Sequence, residues 1–183
     1  MVLGGDGAIL RAAHQIGFQQ LPVLGVSPGR PDFLADLQLQ EIDKVLPRIV
    51  AGEYRIVSHL MFECHVERAA GDQVQALGLN EAAVVVGSPF ALLEVQLYVD
   101  RELVTTYSCD GLIISPHTLT VRPVIDSADR LYEMMVPAPY EGTSLLIDGR
   151  VLCVLRAGDR IRVSGLRRSF SCLKYTDTDT IAR

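Results

Sequence analysis

The chain has 183 residues, of which 49% are hydrophobic and 21% are charged, so it is large and apolar enough to bury a core and is not intrinsically disordered. Its net charge of −5, with Arg167-Arg168 as its one basic cluster, argues against nucleic acid as a partner. No apolar run approaches membrane-spanning length, so we expect no membrane association. The four cysteines stand apart in apolar runs, which favours free thiols in a reducing cytoplasm over disulfides or a metal site (Cys64, Cys109, Cys153, Cys172).

The first motif is Gly4-Gly5-Asp6-Gly7, which runs directly into a helical pattern. Glycines let a ligand approach the main chain, and the N-terminus of the following helix attracts phosphate. A carboxylate beside a phosphate site repels the ligand unless it holds a metal or accepts a proton from a nucleophile. The stretch is therefore typical of phosphoryl transfer. Taken alone, four residues are explained more simply by a glycine-rich turn with a capping Asp6.

Up to residue 52 the pattern is that of an α/β unit. Apolar residues at helical spacing predict a helix over residues 8–16, which Gly17 ends. Residues 21–26 predict a short buried strand. A second helix is predicted over about residues 39–50, with a bend or interruption at Pro47.

From residue 53 onward the pattern is strand after strand. Alternating side chains predict a half-solvated strand over residues 60–66. Two hairpins follow, and in the second the pair Asp148-Gly149 suits a type I′ turn. The predicted fold class is α+β, an α/β unit joined to an all-β part. A partial Rossmann-like α/β unit over residues 1–52 precedes a β-sandwich-like domain over residues 53–183.

Two other polar patches suggest chemistry. Asn80-Glu81 opens an apolar strand and can present an amide and a carboxylate to a ligand, although ordinary turn chemistry explains the pair about as well. Asp110 can bind a sugar hydroxyl or can shape the bend with Gly111, and by itself the structural role is the simpler one. Three residues on one strand face fit no tight zinc signature, and we expect no metal site there (His59, Glu63, His65).

In combination these motifs resemble the NAD kinase family. The resemblance rests on Gly4-Gly5-Asp6-Gly7, then Leu79-Asn80-Glu81, then Ser108-Cys109-Asp110-Gly111-Leu112-Ile113-Ile114-Ser115. The glycine motif is shared with diacylglycerol kinases and phosphofructokinases, but its combination with the other two is specific. Further similar segments extend the resemblance over nearly the whole chain (residues 22–26, 33–37, 95–100, 116–119, 146–149 and 158–161).

The resemblance implies a transferase that moves the terminal phosphate of ATP, or of polyphosphate, to the 2′-hydroxyl of NAD and so forms NADP. It implies that Asp6 accepts the hydroxyl proton and that Gly4, Gly5 and Gly7 surround the phosphates, with Mg²⁺ or Mn²⁺ as the ion. Family members are homo-oligomers, so a cytoplasmic homodimer or homotetramer is expected, with nucleotides as partners. The resemblance also assigns NAD binding to a set of side chains and backbone groups (Asp6, Gly7, Asn80, Glu81, Ser108, Asp110, Arg150).

The sequence departs from the family pattern at several points. Ala8 replaces the usual Thr after the glycine motif, Ser108 stands where a basic or other polar residue is usual, and Arg150 stands where Gln is frequent. After Ser115 the family carries a loop of the type Thr-Pro-Thr-Gly-Ser-Thr-Ala-Tyr-x-Leu-Ser-Ala-Gly-Gly, which closes over NAD. Here the chain runs straight into Pro116. We also expect the family's strand–helix–strand lead-in before the glycines to be missing.

These departures leave three interpretations of the chain. The first is a kinase with a reduced site that still phosphorylates NAD or a related molecule. The second is a catalytically impaired homologue that binds a nucleotide or a partner subunit without turnover. The third is that the sequence is part of a longer enzyme. The intact glycine and Asn80-Glu81 motifs favour a kinase, whereas the missing loop favours the binding-only alternative.

Overall fold

The structure is a computed structural model that describes residues 1–19, 21–29, 33–35, 37–69, 71–87, 91–116, 127 and 129–175. The chain forms two compact units. The first, here called the N-terminal unit, contains Met1–His59 together with the C-terminal residues from Arg168 on, and the second, the β unit, contains Leu60–Arg167. The domain boundary expected near residue 52 stays a prediction.

The described residues contain two α-helices and thirteen strands, with short 3₁₀ turns at Gly17–Gln19 and Leu39–Glu41. In chain order the elements are β1 (Val2–Leu3), α1 (Asp6–Ile16), β2 (Gly25–Ser27), β3 (Leu37–Gln38), α2 (Ile42–Val50), β4 (Tyr54–Glu67), β5 (Gln73–Gly78), β6 (Ala82–Val85), β7 (Leu93–Val99), β8 (Glu102–Cys109), β9 (Gly111–Ile114), β10 (Leu131–Met135), β11 (Ser144–Ile147), β12 (Arg150–Val154) and β13 (Arg160–Tyr175).

The N-terminal unit is built on a parallel sheet with the strand order β1-β2-β3. Helix α1 connects the first two strands, as a parallel pair requires, and buries Ile9 and Ala13. The predicted helix is confirmed, and it ends at Gly17 with φ of 55°. Helix α2 is confirmed as well. It runs through Pro47, and its Val45 packs on the sheet.

The β unit contains antiparallel pairs from two sheets. The six-stranded sheet has the order β5-β4-β13-β10-β7-β8, and the four-stranded sheet has the order β12-β11-β6-β9. One core is filled from both sheets, with Cys64, Val95 and Ile161 from the larger sheet and Val84 and Leu145 from the smaller. The unit is therefore sandwich-like, and the predicted α+β fold is confirmed.

The second predicted hairpin has the turn that its sequence indicates. Asp148 and Gly149 have φ of 50° and 73°, and Ile147 pairs with Arg150, so two residues connect β11 to β12. This is the geometry of a type I′ turn. Strand lengths differ more from expectation: β4 covers Tyr54–Glu67 rather than residues 60–66.

Neither helix in the described part of the chain has the length and apolar character needed to cross a membrane.

Candidate functional site

The glycine motif lies at the corner between β1 and α1. Gly4 has φ of +136°, and a Cβ there would lie 2.6 Å from the Cβ of Ala8, so both conformation and space require glycine. Gly5 is the N-cap of the helix. The first N–H groups of a helix lack partners within the helix and carry its positive dipole end. The corner is therefore suited to an anion.

Gly7 is not explained in the same way. Its φ is not positive, it is exposed, and a Cβ there would meet only the Nη1 atom of Arg11, at 3.9 Å. Neither the backbone nor the packing of the described residues requires glycine at this position. A ligand that approaches the first turn of α1 closely would require it.

Asp6 is the first residue of α1, and its side chain is only half-buried. Its Oδ1 atom accepts the N–H of Leu34 at 2.9 Å, which ties the segment after β2 to the start of the helix. The neighbouring carbonyl of Phe33 accepts a hydrogen bond from Nζ of Lys174 at 3.2 Å. The carboxylate therefore sits in a fixed place beside the glycine corner.

Asn80 and Glu81 lie together at the start of β6, the strand that pairs with both β11 and β9. The amide Nδ2 of Asn80 donates to the carboxylate of Glu81, so the two side chains form one hydrogen-bonded pair. The carbonyl of Asn80 accepts the hydroxyl of Ser115 at 2.6 Å. Local sequence patterns gave Ser115 no role of its own, and its place in the Asp-Gly-Leu-Ile-Ile-Ser motif is the signal that marks it.

Burial raises the pKa of Glu81 above its ordinary value of 4.5, and the nearby carboxylate of Asp148 raises it further. Hydrogen bonds from Asn80 and from the N–H of Gly149 oppose this change in pKa. Burial is the main cause of this raised pKa, and a raised carboxylate pKa is one feature that functional sites share.

The other predicted NAD-binding residues are spread over the β unit: Arg150 and Asp110 lie at opposite ends of the four-stranded sheet, and Ser108 lies on a strand of the six-stranded sheet. Arg150 is exposed beside the turn that borders Glu81. Asp110 is exposed at the far end, where its carbonyl accepts the N–H of Val86, so the four pairs of the β6–β9 ladder separate it from Asn80. Ser108 is exposed on β8. Within the β unit, therefore, Arg150 lies near the Asn80-Glu81 pair, and the other two do not.

No three metal-binding side chains cluster within the described ranges. The histidines considered for a metal have other surroundings. Nε2 of His65 lies 3.3 Å from Oε2 of Glu63, and the buried His59 packs edge-on against Phe33 with 5.6 Å between the ring centroids.

Two solved structures share the fold. A yeast NADH kinase complexed with NADH superposes on 98% of the chain with a TM-score of 0.82 and 22% identity, and the chain covers 62% of that protein. An NAD kinase from Archaeoglobus fulgidus in complex with ATP superposes on 97% with a TM-score of 0.69, again at 22% identity, and 77% of it is covered. The chain thus has the fold of the NAD and NADH kinases.

Relatives in sequence are closer. Residues 1–54 match the family model described as the ATP-NAD kinase N-terminal domain. The chain is 41% identical to the NAD kinase of Rhodopirellula baltica over 95% of its own length and 66% of that protein. It is 31% identical to the NAD kinase of Geobacter metallireducens, with 89% of this chain and 68% of that protein covered. The chain belongs to the NAD kinase family, and it spans just under two thirds of the Rhodopirellula protein.

The alignment with the Rhodopirellula protein runs over 204 positions, which is longer than this chain of 183 residues. The relative therefore has residues within the matched region that this chain lacks.

Proposed function

We propose that the chain carries the catalytic machinery of an NAD kinase, which transfers the terminal phosphate of ATP, or of polyphosphate, to the 2′-hydroxyl of NAD. The proposal rests on family membership and on the two polar groups described above. In the reaction a new O–P bond forms to the ribose oxygen, the bond between the terminal phosphate and its leaving group breaks, and the hydroxyl proton leaves.

We assign Asp6 as the general base that accepts this proton. A ribose hydroxyl is a poor nucleophile, and a carboxylate within hydrogen-bond reach helps by accepting the proton as the new bond forms. Oδ1 of Asp6 accepts a hydrogen bond from the N–H of Leu34 at 2.9 Å, and this contact fixes the orientation of the carboxylate. Fixed placement of a general base lowers the entropic cost of reaching the transition state.

Gly4, Gly5 and Gly7 are assigned to the phosphates. The observation that carries this assignment is Gly7, because its lack of a side chain serves no purpose in the described fold. Mg²⁺ or Mn²⁺ would neutralise the phosphate oxygens when it is bound. Asp6 is the acidic residue of this corner, so an ion that arrives on the phosphates of ATP fits these residues better than one held in a protein cage.

We assign NAD binding to residues from both units (Asp6, Gly7, Asn80, Glu81, Ser108, Asp110, Arg150). The paired amide and carboxylate at the start of β6 offer both a donor and an acceptor. Such groups select strongly between ligands, because a wrong ligand leaves buried polar atoms without hydrogen bonds.

We further propose a cytoplasmic homodimer or homotetramer, in which a second copy covers exposed strand edges such as β8.

The test is NADP formation by the purified chain supplied with NAD, ATP and Mg²⁺. Asp6→Asn should lower the rate at least about a hundredfold while NAD and ATP binding stay within a few-fold of wild type. Asp43→Asn is the matched control, because Asp43 is also an acidic residue in the first turn of a helix, on α2. Undiminished turnover by Asp6→Asn would remove Asp6 from the role of base.

A second candidate function is nucleotide binding without turnover. It is favoured by one observation, the residues within the matched region that the Rhodopirellula relative has and this chain lacks. NAD binding by the wild-type chain without any NADP formation would decide for this alternative.

A further inference from the structure

The carboxylate of Asp148 receives the three consecutive backbone N–H groups that lead into β6. Oδ1 accepts the N–H of Asn80 at 2.7 Å and that of Glu81 at 3.1 Å, and the N–H of Leu79 lies 3.0 Å from Oδ2 and 3.2 Å from Oδ1. Asp148 is 8% exposed. A buried carboxylate with several N–H donors is a strong, charge-assisted contact, and it fixes the backbone that makes it.

The same turn makes one further contact with this segment. The N–H of Asp148 donates to the carbonyl of Glu81 at 2.9 Å. The backbone of Gly149 also acts to lower the pKa of the Glu81 carboxylate. The turn between β11 and β12 therefore holds the main chain of the Asn80-Glu81 pair.

Turn chemistry by itself does not account for these contacts. A type I′ turn needs positive φ at both central residues, and Asn or Gly meets that need at least as well as Asp. The Asp148 carboxylate accepts hydrogen bonds from residues 79–81, about seventy positions earlier in the chain, and none of these three donors belongs to the turn.

We propose that Asp148 is a positioning residue that fixes the backbone of Leu79-Asn80-Glu81 and thereby sets the affinity for NAD. It acts through Asn80 and Glu81 and does not touch the substrate. The inference rests on the proposed function, since it assumes that this pair binds NAD. It assigns a second purpose to a residue whose local sequence indicates a hairpin turn alone.

Two variants keep the turn and remove the contact in steps. Asp148→Asn retains one acceptor oxygen, Asp148→Gly retains none, and both residues tolerate φ of 50°. Amide hydrogen exchange at residues 79–81 should accelerate about tenfold in the first and about a hundredfold in the second. KM for NAD should rise in the same order and by similar factors, while kcat at saturating NAD and KM for ATP stay within about twofold.

Asp159→Asn is the matched control, because Asp159 is also a buried turn carboxylate, which accepts the N–H groups of Ala69 and Arg156. It should lower the melting temperature without changing exchange at residues 79–81 or KM for NAD. Unchanged exchange in both Asp148 variants overturns the proposal, and so does faster exchange with unchanged NAD affinity. A wild-type chain that neither binds NAD nor forms NADP contradicts the proposed function instead, and exchange at residues 79–81 still decides whether Asp148 fixes this segment.

Discussion

At Gly7 the choice of residue has opposite effects on folding and on ligand binding. Glycine in a helix lowers stability by up to about 1 kcal/mol relative to alanine. At position 7 neither the backbone conformation nor the packing of the described residues requires glycine. We therefore predict that Gly7→Ala raises the free energy of unfolding by about 0.5–1 kcal/mol. The added methyl group should also hinder phosphate approach, so KM for ATP should rise at least about tenfold.

Chemical denaturation and steady-state kinetics measure the two effects of Gly7→Ala separately. Gln15→Ala is the control, because Gln15 is exposed in the last turn of the same helix and far from its N-terminus. It should leave KM for ATP unchanged. If Gly7→Ala stabilises the protein and also leaves KM for ATP unchanged, the phosphates do not approach this residue.

The candidate site could be predicted from the sequence only where its residues are neighbours in the chain. Gly4-Gly5-Asp6-Gly7 and Asn80-Glu81 are local motifs, and each appears as a group in the structure. The contact between Asp148 and the N–H of Asn80 joins residues 68 positions apart, and its sequence signal is the same as that of an ordinary hairpin turn. The separation of Asp110 from Asn80 depends on strand register, which the motifs do not encode.

At the scale of elements, prediction succeeded where a local rule decides the geometry. Asp148-Gly149 specifies positive φ, and the turn is observed. Strand β13 shows the opposite case, because it covers Arg160–Tyr175 and no local rule predicts a strand of that length. Its end is fixed by a distant partner: Leu173 N–H donates to the carbonyl of Val23 at 2.8 Å. Pairing of this kind overrides local propensity.

A row of charged side chains crosses the inner strands β4, β13 and β10 of the six-stranded sheet. Glu133 on β10 is 0% exposed and faces Arg162 on β13 in register. Its Oε1 atom accepts Nε of Arg162 at 2.8 Å and lies 3.4 Å from Nη1 of Arg160, while Arg162 also contacts Glu67. Its Oε2 atom is buried without a hydrogen-bond partner among the described residues. This carboxylate depends on its two arginines, because a buried charge that loses its partner is costly.

We predict that Arg162→Met lowers the free energy of unfolding by about 3 kcal/mol, because it leaves Glu133 buried with one weak partner. The double variant Glu133→Met/Arg162→Met should lose less stability than Arg162→Met alone, since the two charges that then lose a partner, Arg160 and Glu67, are 35% and 38% exposed and stay in contact with water. Denaturant unfolding of both variants measures the difference.

The control for this pair is Arg130→Met. Arg130 lies 3.9 Å from Asp100, and the two side chains are 50% and 57% exposed, so the change should cost less than about 1 kcal/mol. A double variant less stable than Arg162→Met would mean that the pair contributes more than its desolvation costs.

On the scale of the whole molecule, the change from helical to alternating periodicity near residue 52 was enough to predict the α+β class. The pattern could not indicate that residues after 167 return to the N-terminal unit, because that return depends on contacts such as Cys172 with Val23 rather than on local sequence. The chain also differs in length from its relatives. It covers 66% of the Rhodopirellula protein, and within the matched region that protein has residues that this chain lacks.

Inserting the family loop that is missing after Ser115 tests how far NAD binding depends on it. By resemblance that loop closes over NAD, and closure of a loop excludes water and orders the substrate. We predict that inserting Thr-Pro-Thr-Gly-Ser-Thr-Ala-Tyr and the rest of the loop directly after Ser115 lowers KM for NAD at least about tenfold. Lengthening the connection between two strands adds little closure entropy, so the fold should tolerate the insertion.

A Gly/Ser insert of the same length at the same place is the control, because it adds the entropy of the loop without its side chains. Both inserts should leave undisturbed the segment whose Asn80 carbonyl accepts the hydroxyl of Ser115, and unchanged amide exchange at residues 79–81 is the check. A family loop that improves NAD affinity and turnover where the Gly/Ser insert does not would mean that this chain is a kinase with a reduced site. Equal kinetics for both inserts and the wild type would mean that the Asn80-Glu81 pair and its supporting turn hold NAD without a closing loop.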